Sequence, residues 1–173
     1  HNRDDSWVVQ WARWHQKMPI QCSEKCSKLS SVDFQKIGAF ILESVNGRTV
    51  FMAPQKLVEF IVQNLDEDAI LMANEVTNGF GRTGKWFGYM HYDMFKPDIV
   101  ALGKGLGNGY PISGVIANTK VATNVEKQGL IYIQSHQNDP LGCSIANSIV
   151  EYIEKENLIE RGNRVGRKLM EDL

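Results

Sequence analysis

Short apolar runs alternate with amphipathic stretches from residue 37 onward, a pattern typical of an α/β fold. The apolar runs predict strands, because a strand covered on both faces of a parallel sheet is apolar throughout. Between the first two runs, Pro54 opens a predicted helix that ends near residue 65, so that the segment forms a βαβ unit. The apolar stripe of this helix is Leu57, Phe60, Ile61 and Leu65. The predicted strands are residues 37–43, 69–73, 99–102 and 112–117.

The apolar period becomes helical at both ends of the chain. Toward the C-terminus it predicts helices over residues 121–127, 145–155 and 158–173. At the N-terminus, Ser6 caps a predicted helix that extends to Lys17. Packing of its one-sided tryptophan face against a core or another subunit is the favoured interpretation, and an aromatic ligand cage is the alternative. The tryptophans on that face are Trp7, Trp11 and Trp14.

Composition and charge limit the classes of protein to which this chain can belong. A hydrophobic content of 43% and a charged content of 23% are ordinary for a globular protein. The net charge of −1 argues against nucleic acid or a membrane surface as a partner. No apolar run approaches the ~18 residues that span a bilayer, and the start of the chain has no secretory pattern. We therefore expect a cytoplasmic protein.

The cysteines do not indicate a disulfide framework or a metal site. Cys22, Cys26 and Cys143 are odd in number, which favours a reducing compartment. Only His15 lies near the first two, whereas a tetrahedral zinc site takes four ligands at recognisable spacings. We expect no metal.

Polar residues follow two of the predicted strands and are the first candidates for chemistry. Asn74 stands at the end of the second strand, and Lys104 follows the third strand between Gly103 and Gly105. Ligands of open α/β sheets bind at the carboxyl ends of strands, so the turn after Asn74 and the Lys104 amine are predicted to face one ligand. The flanking glycines keep the amine accessible and allow a flat ligand to approach the backbone. Apolar surroundings of Lys104 would favour its free amine.

The glycine-rich segments are poor matches to nucleotide-binding loops. Gly79 and the Gly84-Lys85 pair imitate a phosphate loop, but Trp86 stands where a Ser or Thr would hold Mg²⁺. The glycines of residues 103–109 do not have the dinucleotide-binding spacing at a strand-to-helix turn.

Several motifs carry a resemblance to a known family. From about residue 37 to the C-terminus, the order and spacing of these motifs resemble those of the class III pyridoxal-phosphate aminotransferases. The resemblance implies the α/β large domain of a fold type I PLP-transferase, with a mostly parallel central sheet and helices on both faces, present here in part. It implies pyridoxal 5′-phosphate as the cofactor. The motifs are Asn-Glu-Val at 74–76, Gly-Phe-Gly-Arg-Thr-Gly-Lys at 79–85, Pro-Asp-Ile at 97–99, Lys-Gly at 104–105 and Tyr-Pro at 110–111.

The resemblance also implies roles for residues beside the cofactor. Lys104 would be the catalytic lysine that forms a Schiff base with the cofactor aldehyde. Val76 would pack against the ring, and Thr77 stands where the family commonly has a glutamine at the ring hydroxyl. Asn74 replaces the family's aspartate at the pyridine nitrogen, and its neutral amide would weaken the electron sink without abolishing the covalent link.

Two further positions come from the resemblance and have alternatives. Glu43 corresponds to a glutamate near the active site that can pair with a substrate-binding arginine, although Ser44 stands where the family usually has proline. The alternative is a solvated strand end. Ser135 stands where the family has a threonine that reaches the cofactor phosphate of the neighbouring subunit, and its hydroxyl keeps that hydrogen bond possible. The alternative is a cap for the helical segment from Pro140.

The resemblance implies a domain arrangement and a reaction. Residues 1–143 would be part of the cofactor-binding large domain, and residues 144–173 would lead toward a small domain. The expected function is a transaminase that acts on an amino donor and a keto acid, as a homodimer with shared active sites. The alternatives are a PLP decarboxylase or racemase on the same scaffold, and a non-catalytic structural or regulatory protein. Because the family's phosphate-binding loop and carboxylate-binding arginine are not among these residues, this piece alone is expected to be inactive.

Overall fold

The computed structural model describes residues 29–173, which form an α/β fold around one sheet. The strands are β1 (Ala39–Leu42), β2 (Ile70–Asn74), β3 (Ile99–Leu102) and β4 (Gly114–Ala117), side by side in that order. The first three are parallel, and β4 is antiparallel to β3. The predicted class, a mostly parallel α/β sheet, is confirmed.

Four of the predicted helices appear, with small changes of boundary. They are α1 (Gln55–Asn64), α2 (Thr119–Lys127), α3 (Pro140–Lys155) and α4 (Leu158–Asp172). The start of α3 was predicted at residue 145, but the helix begins at Pro140, because Asp139 caps it and proline suits the first turn. None of the helices in the described part of the chain is both long and apolar enough to cross a membrane.

The core lies between the sheet and α1. One buried cluster joins α1 to the segment before β1, and the other joins the sheet to the segment between β2 and β3. The expectation that the first strand is buried on both faces is wrong for β1, since Ile41 is 53% exposed at the edge of the described sheet. The first cluster contains Leu29, Phe34, Leu57 and Ile61, and the second contains Leu42, Val58, Ala73, Tyr92, Phe95, Val100 and Leu102.

Some predictions fall outside the described residues. These are the helix over residues 6–17 with its tryptophan face, and the pair Cys22 and Cys26. The last cysteine, Cys143, is a free and exposed thiol on α3.

The parallel pairing of β2 and β3 brings their carboxyl ends to the same edge of the sheet. Asn74, the last residue of β2, is in register with Ala101 near the end of β3. The chain leaves β3 through Gly103 and enters a short 3-10 turn, Lys104–Leu106. The sheet therefore places the two predicted polar positions beside each other.

Candidate active site

The turn after β2 is held by hydrogen bonds that start at Asn74. The Oδ1 atom of Asn74 accepts from the backbone N–H of Val76 at 3.3 Å, an Asx-type contact that closes the turn. The backbone N–H of Glu75 donates to the carbonyl oxygen of Ala101 at 2.9 Å, which ties the turn to β3. These bonds fix the positions of Val76 and Thr77 relative to the end of β3.

Lys104 meets this turn from β3. Its Nζ donates to Thr77 Oγ1 at 2.9 Å. Its backbone φ of 38° lies in the left-handed region, which non-glycine residues adopt at a cost and which is often found at functional sites. The strand ends thus bring together a primary amine and a hydroxyl, and that both groups face one ligand stays a prediction.

The predicted accessibility of the Lys104 amine agrees with the described chain, whereas apolar surroundings that would favour its free form are not what the side chain has there. Lys104 is exposed. The physical reason is the pair of flanking glycines, which have no side chains to cover the amine, while the nearest contact of the amine is the polar hydroxyl of Thr77.

Two apolar side chains lie close to the backbone on either side of Lys104. A Cβ atom added at Gly103 would be 3.3 Å from Val76 Cγ1, and one added at Gly105 would be 3.3 Å from the ring of Phe80. Any larger residue at either glycine would displace these neighbours. Val76 and Phe80 therefore form an apolar wall against the backbone on the two sides of Lys104, an approach that the glycines make possible.

Glu43 lies in the loop after β1. Its carboxylate accepts from the backbone N–H of Gly47 at 3.3 Å and from Asn46 Nδ2 at 3.1 Å. Gly47 in turn lies against Thr77, because a Cβ atom added at Gly47 would be 3.0 Å from the Cγ2 and Oγ1 atoms of Thr77. Glu43 is thus connected to Thr77 and Lys104 only indirectly: its carboxylate contacts Gly47, and Gly47 lies against Thr77.

Ser135 lies apart from the other predicted site residues. It is exposed in the turn before α3, and no hydrogen bond within residues 29–173 joins it to Asn74, Thr77 or Lys104. The alternative interpretation as a helix cap is wrong, because Asp139 caps α3 by accepting from the backbone N–H of Gly142 at 3.0 Å. The cross-subunit role of Ser135 stays a prediction.

Sequence reasoning missed a buried carboxylate next to Asn74. Glu75 is 1% exposed, and its two carboxylate oxygens accept from the backbone N–H groups of Gly88 at 2.8 Å and Tyr89 at 2.9 Å. Burial raises the pKa of Glu75, and the two backbone hydrogen bonds oppose that rise. Glu75 therefore anchors the aromatic segment Gly88–His91 to the end of β2. Its position beside Asn74 in the motif was the only available signal.

His91 makes contacts that are typical of a structural histidine. Its Nε2 atom lies 3.1 Å from both the carbonyl oxygen and the Oγ1 atom of Thr83. These contacts join the aromatic segment to the glycine loop before it.

Comparison with known proteins agrees with the motifs and with the fold. The sequence model of the family described as aminotransferase class-III matches residues 9–173. Ornithine aminotransferase 1 of Staphylococcus aureus is 38% identical over 138 residues, which cover 78% of this chain and 34% of that protein. An (R)-1-hydroxy-2-aminoethylphosphonate ammonia-lyase of Vibrio splendidus is 36% identical over 127 residues, which cover 72% of this chain and 26% of that protein.

The structural comparison points the same way. A solved aminotransferase of Bacillus anthracis matches with a TM-score of 0.71 and 36% sequence identity, and the match covers 79% of this chain and 32% of that chain. The chain thus spans between 26% and 34% of the length of these curated relatives.

Proposed function

Because the chain belongs to the class-III aminotransferase family, we propose that the full-length protein is a transaminase that moves an amino group between an amine or amino acid and a keto acid. Class-III aminotransferases depend on pyridoxal phosphate. The observation that carries the proposal is the 2.9 Å hydrogen bond between the Lys104 amine and Thr77 at the joined ends of β2 and β3.

The described residues suit this cofactor. An exposed primary amine is available for a covalent link to an aldehyde, and the backbone on both sides of it lies against the apolar wall of Val76 and Phe80, which suits a flat ring. A side chain at Gly103 or Gly105 would press on that wall. Thr77 offers a hydroxyl to a polar ring substituent, and Asn74 offers an amide to a ring nitrogen.

When bound, the cofactor supplies an aldehyde that links to amines and an electron-withdrawing ring. We assign to Lys104 the covalent attachment and the movement of protons. Val76 would pack against the ring, Thr77 accepts the hydrogen bond from the lysine amine, and Asn74 would offer its neutral amide to the ring nitrogen. Glu43, in the loop after β1, would offer its carboxylate to a substrate-binding arginine.

A second reaction on the same scaffold is kept as the alternative, either decarboxylation or racemisation. The observation that favours it is a relative of another reaction class, the leucine/methionine racemase of Thermococcus litoralis, which is 29% identical over 160 residues that cover 88% of this chain and 35% of that protein. The ammonia-lyase of Vibrio splendidus is a further relative that is not a transaminase by name.

Removal of the lysine amine tests the proposal. In the full-length protein, Lys104→Ala is expected to abolish the visible absorption of the lysine-linked cofactor near ~420 nm and to abolish transamination in an amino-donor screen. The matched control is Lys85→Ala, because Lys85 is also exposed and hydrogen-bonded, through its Nζ to the carbonyl oxygen of Met90 at 2.8 Å. The control should keep both properties.

The lysine that carries the cofactor can be identified directly. Borohydride reduction followed by peptide mass mapping of the parent protein should place the cofactor on Lys104. A cofactor found on another lysine, or normal turnover by a folded Lys104→Ala protein, would contradict the assignment. Conversion of an amino acid to its mirror image or to an amine, without transfer to a keto acid, would favour the alternative reaction.

A further inference from the structure

The loop between β1 and α1 folds into a hairpin, defined here as residues 44–53. Its ends are joined by the backbone N–H of Ala53, which donates to the carbonyl oxygen of Ser44 at 3.0 Å. Farther along, the N–H of Asn46 donates to the carbonyl oxygen of Phe51 at 2.9 Å, and Val50 donates back to Asn46 at 2.8 Å. Val50 has a φ of 55°, a left-handed conformation that is costly for a β-branched residue. The hairpin is therefore a specific and partly strained structure.

A buried tyrosine holds both ends of this hairpin. Tyr92 is 2% exposed, and its hydroxyl donates to the carbonyl oxygen of Ala53 at 2.7 Å, with that of Ser44 at 3.3 Å. Like any tyrosine hydroxyl, that of Tyr92 is protonated and can donate at neutral pH, and burial raises its pKa further, to about 12. The ring packs in the same core cluster as Leu42 at the end of β1. The hairpin is thus attached to the core at its base.

Gly47, on the tip side of the hairpin, restrains Thr77, which is the hydrogen-bond partner of Lys104. The space for a Cβ atom at Gly47 is filled by the Cγ2 and Oγ1 atoms of Thr77, each 3.0 Å away. A threonine side chain has few χ1 rotamers, and the Gly47 backbone lies close enough to this one that even an added methyl group would meet it, so we infer that the hairpin limits the choice further. The selected rotamer places Oγ1 at 2.9 Å from Lys104 Nζ.

We propose that Tyr92 is a positioning residue for Lys104, acting through the 44–53 hairpin, Gly47 and Thr77. The inference deepens the proposed function, because it matters for chemistry only if Lys104 is the reactive amine. Tyr92 itself touches neither Lys104 nor Thr77 in the hydrogen bonds of residues 29–173. Its effect is to keep the hairpin, and so the Thr77 hydroxyl, in place.

The reactivity of the Lys104 amine measures this positioning without the cofactor. We would label the full-length apo protein with limiting acetic anhydride at a fixed pH and compare, by mass spectrometry, acetylation of Lys104 with that of Lys120. Tyr92→Phe keeps the ring and removes the hydroxyl, and it should raise the relative rate at Lys104 by about two- to tenfold, the range expected when one hydrogen bond is lost. Thr77→Val removes the acceptor directly and should give the same or a larger increase.

A second variant tests the contact between the hairpin and Thr77. Gly47→Ala leaves Tyr92 intact but presses on Thr77, so it should also raise the relative rate at Lys104. Gly38→Ala is the matched control, because a Cβ atom there meets nothing within 4 Å. Tyr89→Phe is the control for Tyr92→Phe, since it removes a hydroxyl from the same aromatic segment that makes no hydrogen bond to the described hairpin. Both controls should leave the rate unchanged.

The outcomes separate this inference from the proposed function. An unchanged Lys104 rate in folded Tyr92→Phe, or an increase of the same size in the controls, would overturn the positioning role. If Tyr92→Phe does not fold, Gly47→Ala decides, and an unchanged rate there would overturn it equally. Retention of the cofactor link in Lys104→Ala would instead contradict the proposed function, whatever the acetylation rates.

Discussion

Asn74 ends β2 with a neutral amide at the position where the family that it resembles has aspartate. In the structure its Oδ1 atom closes the turn by accepting from the N–H of Val76 at 3.3 Å. A carboxylate could make the same contact, so the fold does not require the amide. The difference between the two side chains is therefore one of charge at the proposed cofactor ring.

We expect Asn74→Asp in the full-length protein to accelerate the first half-reaction with an amino donor, on the order of tenfold if the charge contributes ~1.4 kcal/mol. The reason is that a carboxylate stabilises a protonated ring nitrogen better than an amide does. Stopped-flow single-turnover kinetics on the parent and the variant would measure it.

Asn108→Asp is the control for this substitution, since it adds the same charge at an exposed position in the glycine-rich turn after Lys104. It should leave the half-reaction nearly unchanged. A much slower Asn74→Asp protein that folds and binds the cofactor normally would indicate a site adapted to a neutral ring.

At the scale of elements, the start of α3 depends on one ionised side chain. Asp139 accepts from the backbone N–H of Gly142 at 3.0 Å and from the hydroxyl of Tyr110 at 3.0 Å. The hydrogen bond from Gly142, followed by that from Tyr110, lowers the pKa of Asp139 from its ordinary value of 3.8. The cap joins α3 to the segment that follows Lys104.

Asp139→Ala should lower the melting temperature of the full-length protein at pH 7 by about 2–5 °C, because the helix loses its N-cap. A carboxylate with a lowered folded pKa stabilises the fold above its unfolded pKa, and this contribution is lost as the pH falls from 3.8 through the folded pKa. The difference between parent and variant should therefore shrink below about pH 4, as measured by calorimetry across pH.

Asp139→Asn tests the origin of this effect. It keeps an oxygen acceptor and removes the charge, so it should cost less at pH 7 and show no change in its own cap contribution in acid. A parent-to-Ala difference that stays constant from pH 7 to pH 3 would show that the ionised form is not what stabilises the cap.

At the scale of the whole molecule, the residues before α3 have no partner that covers them within the described chain. Leu130 is 68% exposed, and the next three residues are more or similarly exposed at 77%, 66% and 83%. Ser135 follows at once in an exposed turn. An exposed apolar segment followed by a predicted cross-subunit hydroxyl is what a shared active site in a homodimer would require.

Subunit complementation tests this arrangement. Lys104→Ala and Ser135→Ala full-length proteins, unfolded together and refolded, should recover up to about a quarter of the parent activity. Half of the randomly formed dimers are mixed, and one of the two sites in each has both Lys104 and Ser135. The readout is transamination relative to each variant refolded alone.

The control mixes Lys104→Ala with a protein that carries both substitutions, which can form no complete site. It should show no recovery. A Ser135→Ala protein with parent activity, or mixed dimers of confirmed composition without recovery, would contradict a site shared through Ser135.

The sequence alone determined most of the elements, because their signals are local. Apolar runs marked the strands, and the stripe after Pro54 marked α1, with boundaries that differ by one or a few residues. The motif order also placed Asn74 and Lys104 at strand ends. Parallel neighbours in an α/β sheet then had to bring those ends together, as the pairing of β2 and β3 does.

Only the tertiary structure decided which residues restrain the site and which stay uncovered. The contact of Gly47 with Thr77 and the hydrogen bond from Tyr92 to Ala53 join segments that are far apart in the chain. Apolar periodicity reports which face of an element is buried, but it contains no information about which loop the buried tyrosine will meet. The exposure of Lys104, by contrast, follows from the glycines on either side of it, which are residues of the turn itself and could be recognised in the sequence.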